Sequence, residues 1–211
     1  MPLGRAAAAP RPARHAADPA RRPPAGPMIL RRARPADAPA IAAIYAPYVA
    51  DSAVSFEMEA PDADEIRARI HACQDTYPWL VAEENAGAIA GYAYASQFRA
   101  RRAYRFTVET TVYVAEGHHG RGVGGWLYDA LIETLAAQGF TQAIAAITLP
   151  NEASRRLHEA RGFVDAGVYR DVGYKLGAWR SVGLWQRALA PMRDAPAETL
   201  PVTGIWRDQR R

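Results

Sequence analysis

From Met28 onward the apolar positions fall into short blocks whose period changes from block to block, and each change marks an element. Ile29 to Arg34 reads as a short strand. Pro35-Ala-Asp-Ala-Pro39 opens a helix that carries Ile41, Ile44, Tyr45 and Tyr48 at helical spacing, proline being favoured in a first turn. Pro61-Asp-Ala-Asp-Glu65 opens a second helix with Ile66, Ile70 and Cys73 on one face. Trp79 to Glu83 and Ala88 to Phe98, divided by a break at Asn85-Ala-Gly87, read as the two strands of a hairpin. Phe106 to Ala115 alternates as a further strand, and a glycine-rich segment, Gly117 to Gly125, leads into a helix carrying Leu127, Leu131 and Leu135 that Gly139 ends. Ala143 to Leu149 is a buried strand, Asn151 to Arg161 a helix closed by Gly162, and Phe163 to Tyr174 and Trp179 to Arg187 are late β-like stretches. The order β-α-α-β-β-β-α-β-α-β-β predicts an α/β domain built on a single mixed, mostly antiparallel sheet flanked by helices. Residues 191–211 hold three prolines and little periodicity, so loose packing is expected there.

The chain's 211 residues suffice for one domain with a sizeable core, and its composition, 49% hydrophobic and 23% charged, is that of a globular protein. No stretch approaches the roughly 18 uninterrupted apolar residues of a membrane span. One cysteine, Cys73, excludes an internal disulfide, which makes a reducing cytoplasm the default expectation. No histidines or cysteines stand at metal-ligand spacing, so no metal is expected.

A basic balance of +4 raises the question of a nucleic-acid partner. Arg5, Arg11, Arg14, Arg21 and Arg22 against Asp18 place that whole excess in residues 1–27, leaving residues 28–211 neutral. A neutral body excludes a nucleic-acid footprint. The tail, rich in alanine and proline, cannot build a core and is expected to be disordered. It reads either as a poor transit peptide or, more simply, as sequence upstream of a true start at Met28.

The segment Val112-Tyr-Val-Ala-Glu-Gly-His-His-Gly-Arg-Gly-Val-Gly-Gly-Trp-Leu-Tyr128 carries the chemistry. Gly120, Gly122, Gly124 and Gly125 lie between a strand and a helix, where glycine permits a tight turn whose N–H groups point inward at the helix N-terminus. Such a turn suits a pyrophosphate. A Walker loop is excluded by the missing Lys-Ser/Thr pair, and a Rossmann fingerprint would stand near the first strand.

His119-Gly-Arg-Gly122-Val-Gly124 resembles the acetyl-CoA pyrophosphate loop of the GNAT acetyltransferase superfamily, with His119 in place of the usual Gln or Arg. Downstream, Asn151-Glu-Ala-Ser-Arg-Arg-Leu-His158-Glu-Ala-Arg-Gly-Phe163 resembles the superfamily's N-x-x-A-x-x-x-Y-x-x-x-G-F pattern. Tyr77-Pro-Trp-Leu-Val-Ala-Glu83, Tyr104 to Val114, Leu149-Pro-Asn151 and Gly177 to Gln186 are similar to phosphinothricin and methionine sulfoximine or sulfone acetyltransferases. The resemblance spans Ile29 to about Arg187 and implies the GNAT fold, acetyl-CoA as co-substrate and a homodimer.

It also assigns roles. Val112, Val114, His119, Gly120, Arg121, Gly122, Val123, Gly124, Gly125, Asn151 and Ser154 would hold acetyl-CoA, although Asn151 also reads as a helix cap. An amino-acid amine is protonated at neutral pH and needs a base before it attacks a thioester. Glu109, a carboxylate in mid-strand, matches the family's base; Val108, Thr110 and Val112 share one side of that strand, and Glu109, Thr111 and Tyr113 the other. The resemblance implies the Val114 N–H as oxyanion donor, and His158, in place of tyrosine, as the acid that protonates the departing thiolate. By the same resemblance Arg101 and Tyr104 would meet an anionic substrate, with Phe56 lining the pocket. The expected activity is acetyl transfer to the amine of a glutamate-analogue amino acid. Its rivals are an acetyltransferase for another small amine or a peptide or protein amine, and an acyl-CoA-binding sensor without turnover, which would dispense with Glu109.

Overall fold

The computed structural model describes residues 27–73, 75–84, 87–192 and 194–210. The tail up to residue 26, and Asn85 and Ala86 of the hairpin break, lie outside the described residues.

The elements run β1 (Met28–Arg32), α1 (Ala38–Ala50), α2 (Ala63–Cys73), β2 (Trp79–Glu84), β3 (Ile89–Gln97), β4 (Thr107–Val114), α3 (Val123–Gln138), β5 (Gln142–Leu149), α4 (Glu152–Glu159), β6 (Val164–Lys175), β7 (Ala178–Ala188) and β8 (Gln209–Arg210). Eight strands form one sheet in the order β6-β7-β5-β4-β3-β2-β1-β8. Every pairing is antiparallel except β4 with β5, so the sheet is mixed and mostly antiparallel, as the pattern predicts.

Two apolar layers follow from strand alternation. On one side α3 buries Leu127, Leu131 and Leu135 against Leu80, Val108 and Trp185. On the other, α1 and α2 bury Ile41, Ile44, Ile66 and Ile70 against Val81, Tyr92 and Tyr113. Each fully buried aliphatic side chain contributes roughly 1.5–3 kcal/mol of transfer free energy. Helix α3 ends where the sequence places its stop: Gly139 takes a left-handed φ of 95° and its N–H bonds the Ala136 and Leu135 carbonyls. Helix α1 begins later than the proline pair suggests, because Pro35–Asp37 forms a 3-10 turn of its own. Asp37 there accepts from the Arg34 N–H at 2.6 Å and receives both terminal nitrogens of Arg31 at 2.7 and 2.8 Å.

The end of the chain departs from expectation. Residues 191–211 were expected to pack loosely, yet Val202 is fully buried and Trp206 joins the α3-side core. The Gln138 amide donates to the Thr76 and Leu200 carbonyls at 2.9 and 2.8 Å, and β8 extends the sheet beyond β1. Two isolated apolar anchors leave no periodic trace, so pattern reading passes over them.

Candidate active site

The one parallel pairing makes the site. Strands β4 and β5 share three rungs, Thr107–Glu109 against Gln142–Ile144. Beyond Glu109 they part: β4 stays on β3 as far as Val114, and β5 stays on β7 as far as Leu149. A cleft of about 320 Å³ opens in the splay, lined among others by Phe56, Tyr94, Glu109, Val112, Thr148, Asn151, Ser154 and His158.

Strand parity divides the labour of β4. The Ala115 N–H bonds the Ala90 carbonyl on β3 at 2.9 Å, so in an antiparallel ladder Tyr113, Thr111 and Glu109 also direct their amides to β3. The amides of Val112 and Val114 therefore face the splay. Side chains alternate too: Val112 and Val114 meet the first turn of α3, while Glu109 and Tyr113 turn to the α1–α2 side. One wall of the cleft consists of backbone and small apolar groups, the other of ionisable and aromatic ones.

Glu109 is half-buried in the second wall, and burial raises its carboxyl pKa above 4.5. No cation pairs with it among the described residues. Tyr94, which stacks on Trp79 at 4.3 Å, lines the same wall. Burial pushes its phenol up to about 12, so Tyr94 stays protonated. Sequence reading missed Tyr94, although alternation in β3 places it on one face with Tyr92.

On the backbone side, α3 makes its first helical bond from the Trp126 N–H to the Gly122 carbonyl at 3.0 Å, leaving the amides of Val123, Gly124 and Gly125 ahead of it. Gly122 holds a left-handed φ of 83°, and Gly120 one of 71°. A Cβ on Gly124 would stand 3.1 Å from Val114 Cγ2, so any side chain there would crowd Val114 and press the helix start away from β4. Free amides at a helix N-terminus beside the outward amides of Val112 and Val114 form a cradle for an anionic, amide-containing ligand. Arg121 and His119 are exposed on this turn. The His119 ring nevertheless turns back, its Nε2 lying 2.8 Å from the Tyr48 hydroxyl and 3.0 Å from the Val114 carbonyl, to which Tyr48 itself donates at 2.7 Å.

Helix α4 supplies the floor. Asn151 caps it, Oδ1 accepting from the Ser154 N–H at 3.0 Å, while both residues line the cleft. His158 is only 3% exposed and packs between Tyr128 and Phe163. Its Nδ1 lies 2.7 Å from the Ser154 carbonyl, which accepts only if Nδ1 carries the proton. Burial pulls its pKa down to about 4, so the ring is neutral near pH 7. Nε2 is then a bare acceptor, buried without a partner. With Nδ1 carrying the proton, Nε2 would have to take one up before it could act as the expected acid.

The structure brings Glu109, Val112, Asn151, Ser154, His158 and Phe56 to one cleft, with Val114 and the glycine turn at its edge. It does not bring Arg101 or Tyr104 into the lining; both are exposed on the β3–β4 connection. That turn is held by Arg99, which stacks over Phe98 and Tyr104 and donates to the Tyr169 hydroxyl of β6 at 3.3 Å. Among the described residues no cluster of three potential metal ligands occurs.

Residues 30–181 match the profile of the acetyltransferase (GNAT) domain. The chain is 44% identical over 179 residues to a phosphinothricin N-acetyltransferase of Streptomyces viridochromogenes, covering 85% of this chain and 97% of that one. It is 38% identical over 168 residues to an L-methionine sulfoximine/L-methionine sulfone acetyltransferase of Pseudomonas aeruginosa, covering 79% and 98%. Among solved structures, a GNAT-superfamily phosphinothricin acetyltransferase from Sinorhizobium meliloti in complex with AcCoA superposes with a TM-score of 0.77 at 36% identity, over 81% of this chain and 94% of that one.

Proposed function

The chain belongs to the GNAT acetyltransferases, and from that premise we propose that it moves the acetyl group of acetyl-CoA directly onto the α-amine of a glutamate-analogue amino acid such as phosphinothricin or methionine sulfoximine or sulfone. The observation that carries this reading is Glu109, a half-buried carboxylate with no cationic partner that faces the cleft opened by the β4–β5 splay. A mid-strand carboxylate without a partner costs free energy, which is why a binding-only protein has no use for it.

Acetyl-CoA fits the backbone wall. The amides of Val123, Gly124 and Gly125, with Gly120, Arg121, Gly122 and His119 completing the turn, would hold its pyrophosphate; the outward amides of Val112 and Val114, with Asn151 and Ser154, would hold the arm. When bound it supplies a thioester carbonyl. The chain's own residues do the rest. Glu109 takes one proton from the substrate ammonium, directly or through water, and so frees the lone pair that forms the new C–N bond. The Val114 N–H, aimed into the splay, donates to the carbonyl oxygen as it gains charge. As the C–S bond breaks, the amine's second proton goes to the sulfur through water, with neutral His158 Nε2 as an acceptor on the way, since that nitrogen has none of its own to donate. Phe56 would form the substrate wall, and Arg101 and Tyr104, exposed outside the lining, would meet an anionic end only where it reached beyond the cleft.

We further read the protein as a cytoplasmic homodimer. Strand β6 ends the sheet, and Val164, Val172, Tyr174 and Trp179 of the β6–β7 hairpin are each more than half exposed, an apolar surface suited to a second copy. Residues 28–190, with Val202, Trp206 and β8 packed onto them, form the catalytic domain in this reading, and residues 1–27 are dispensable to it. Steady-state rates with acetyl-CoA across phosphinothricin, methionine sulfone, methionine sulfoximine and ordinary amino acids test the assignment. Preference for the first three supports it, and transfer to none of them sinks it.

A further inference from the structure

Lys175, the last residue of β6, is 4% exposed. Its ammonium donates to three main-chain carbonyls, Val49 at 2.6 Å and Ser55 and Glu57 at 2.8 Å each. An ammonium has three protons, so all are engaged. The nearby carboxylate of Glu57 is occupied elsewhere, by Arg69 at 2.8 Å and by the Tyr45 hydroxyl at 3.1 Å. Lys175 is therefore held by a cage of carbonyls, one from the last turn of α1 (Val49) and two from the irregular connection between α1 and α2 (Ser55 and Glu57), all more than a hundred residues away in sequence.

Phe56 sits between two of the caged carbonyls and lines the cleft. Its ring lies on Gly173, where a Cβ would stand 2.2 Å from Phe56 Cε2. Gly173 and Lys175 share one face of β6, whose pairing with β7 is regular over this stretch, from Gly173 opposite Arg180 to Lys175 opposite Ala178. That face thus offers a bare surface to the Phe56 ring and a cation to the carbonyls on either side of it.

We infer that Lys175 is a positioning residue for the amine site, its carbonyl cage fixing the backbone of residues 55–57 and hence the Phe56 ring that decides which amines fit. The inference rests on the reading of the cleft as an amine site with Phe56 in its wall. Burial lowers the pKa of Lys175 while Glu57 raises it, and only the charged form has a proton for each of the three carbonyls.

Lys175→Met keeps the stem and removes every donor. Losing three hydrogen bonds to backbone is expected to raise the KM for the amine about tenfold or more while the KM for acetyl-CoA stays within about twofold. Gly173→Ala leaves the cage intact but drives a methyl into the Phe56 ring, and it is expected to give the same selective defect. In a Phe56→Ala background neither change should cost more than about twofold further, since all three act through one ring. Amide hydrogen exchange, read without substrate, should quicken over residues 52–58 in Lys175→Met and stay unchanged in α3. Equal rises in both KM values, additive losses in the Phe56→Ala background, or unaltered exchange would each overturn the inference. A wild-type chain that acetylates no amino acid would refute the proposed activity instead, and the exchange result would still decide the cage.

Discussion

The two walls of the cleft are made in opposite ways. The wall proposed for acetyl-CoA is backbone: the outward amides of Val112 and Val114, the left-handed Gly122 and the open first turn of α3, all within fourteen residues of sequence. The amine wall is side chains: Phe56 from the α1–α2 connection, Tyr94 from β3, Glu109 from β4 and Val182 from β7. A ligand common to a whole family can be met by groups every residue carries, and such a wall depends little on which side chain stands at His119. A ligand that differs between relatives must be met by side chains, and these are brought together by tertiary contacts alone.

The sharpest way to break that comparison is at Glu109, where the amine wall carries chemistry. Glu109→Gln keeps the shape but cannot accept a proton, so turnover should fall about 10²–10⁴-fold at pH 7 with acetyl-CoA binding unchanged. Because burial raises its pKa, the wild-type acidic limb of kcat/KM should lie above pH 4.5 and vanish in the variant. The same sign makes the ionised group a cost to the native state, one absent at low pH and growing as pH rises through the folded pKa. Glu109→Gln should therefore melt above wild type at pH 7. A variant as active as wild type would leave proton removal to water.

On the backbone wall the contrast is between a glycine and its neighbour. Gly122→Val forces a β-branched residue to φ 83°, and the KM for acetyl-CoA should rise tenfold or more, whereas His119→Ala should change it less than about threefold. Calorimetry of CoA binding checks both. A larger loss at His119 would mean that its ring, and not the amides, holds the ligand.

The smallest expected effect is at His158. With a pKa near 4 and Nδ1–H given to Ser154, it would serve in the proposed mechanism as a neutral acceptor, so His158→Phe should lower kcat about tenfold and leave the acidic limb in place. Disappearance of that limb would make His158 the titrating base.

The same contrast explains what the sequence revealed. Element order, the α3 stop at Gly139 and the pyrophosphate turn are local, written in period and in glycine spacing. Glu109 was legible because a carboxylate in an apolar alternation is conspicuous. Tyr94, the neutrality of His158 and the burial of Val202 and Trp206 were not, because each depends on what packs against the residue rather than on its neighbours in the chain. The exposure of Arg101 and Tyr104 belongs to the same class.

Three rungs hold β4 to β5, and past them a sheet that could have been continuous has a slot in its middle. A slot between diverging strands is a length gauge. Near the last rung, at Glu109 and Ile144, the strands are bonded to each other; toward Val114 and Leu149 they part, so a slender extended ligand entering there would advance only until the taper stopped it. The depth of penetration would thus be set by where hydrogen bonding between two strands ends. Lengthening that ladder by a single rung would move the stop outward by about 3.3 Å, one strand residue, carrying the reactive end of the ligand away from Glu109 without touching any residue that binds it.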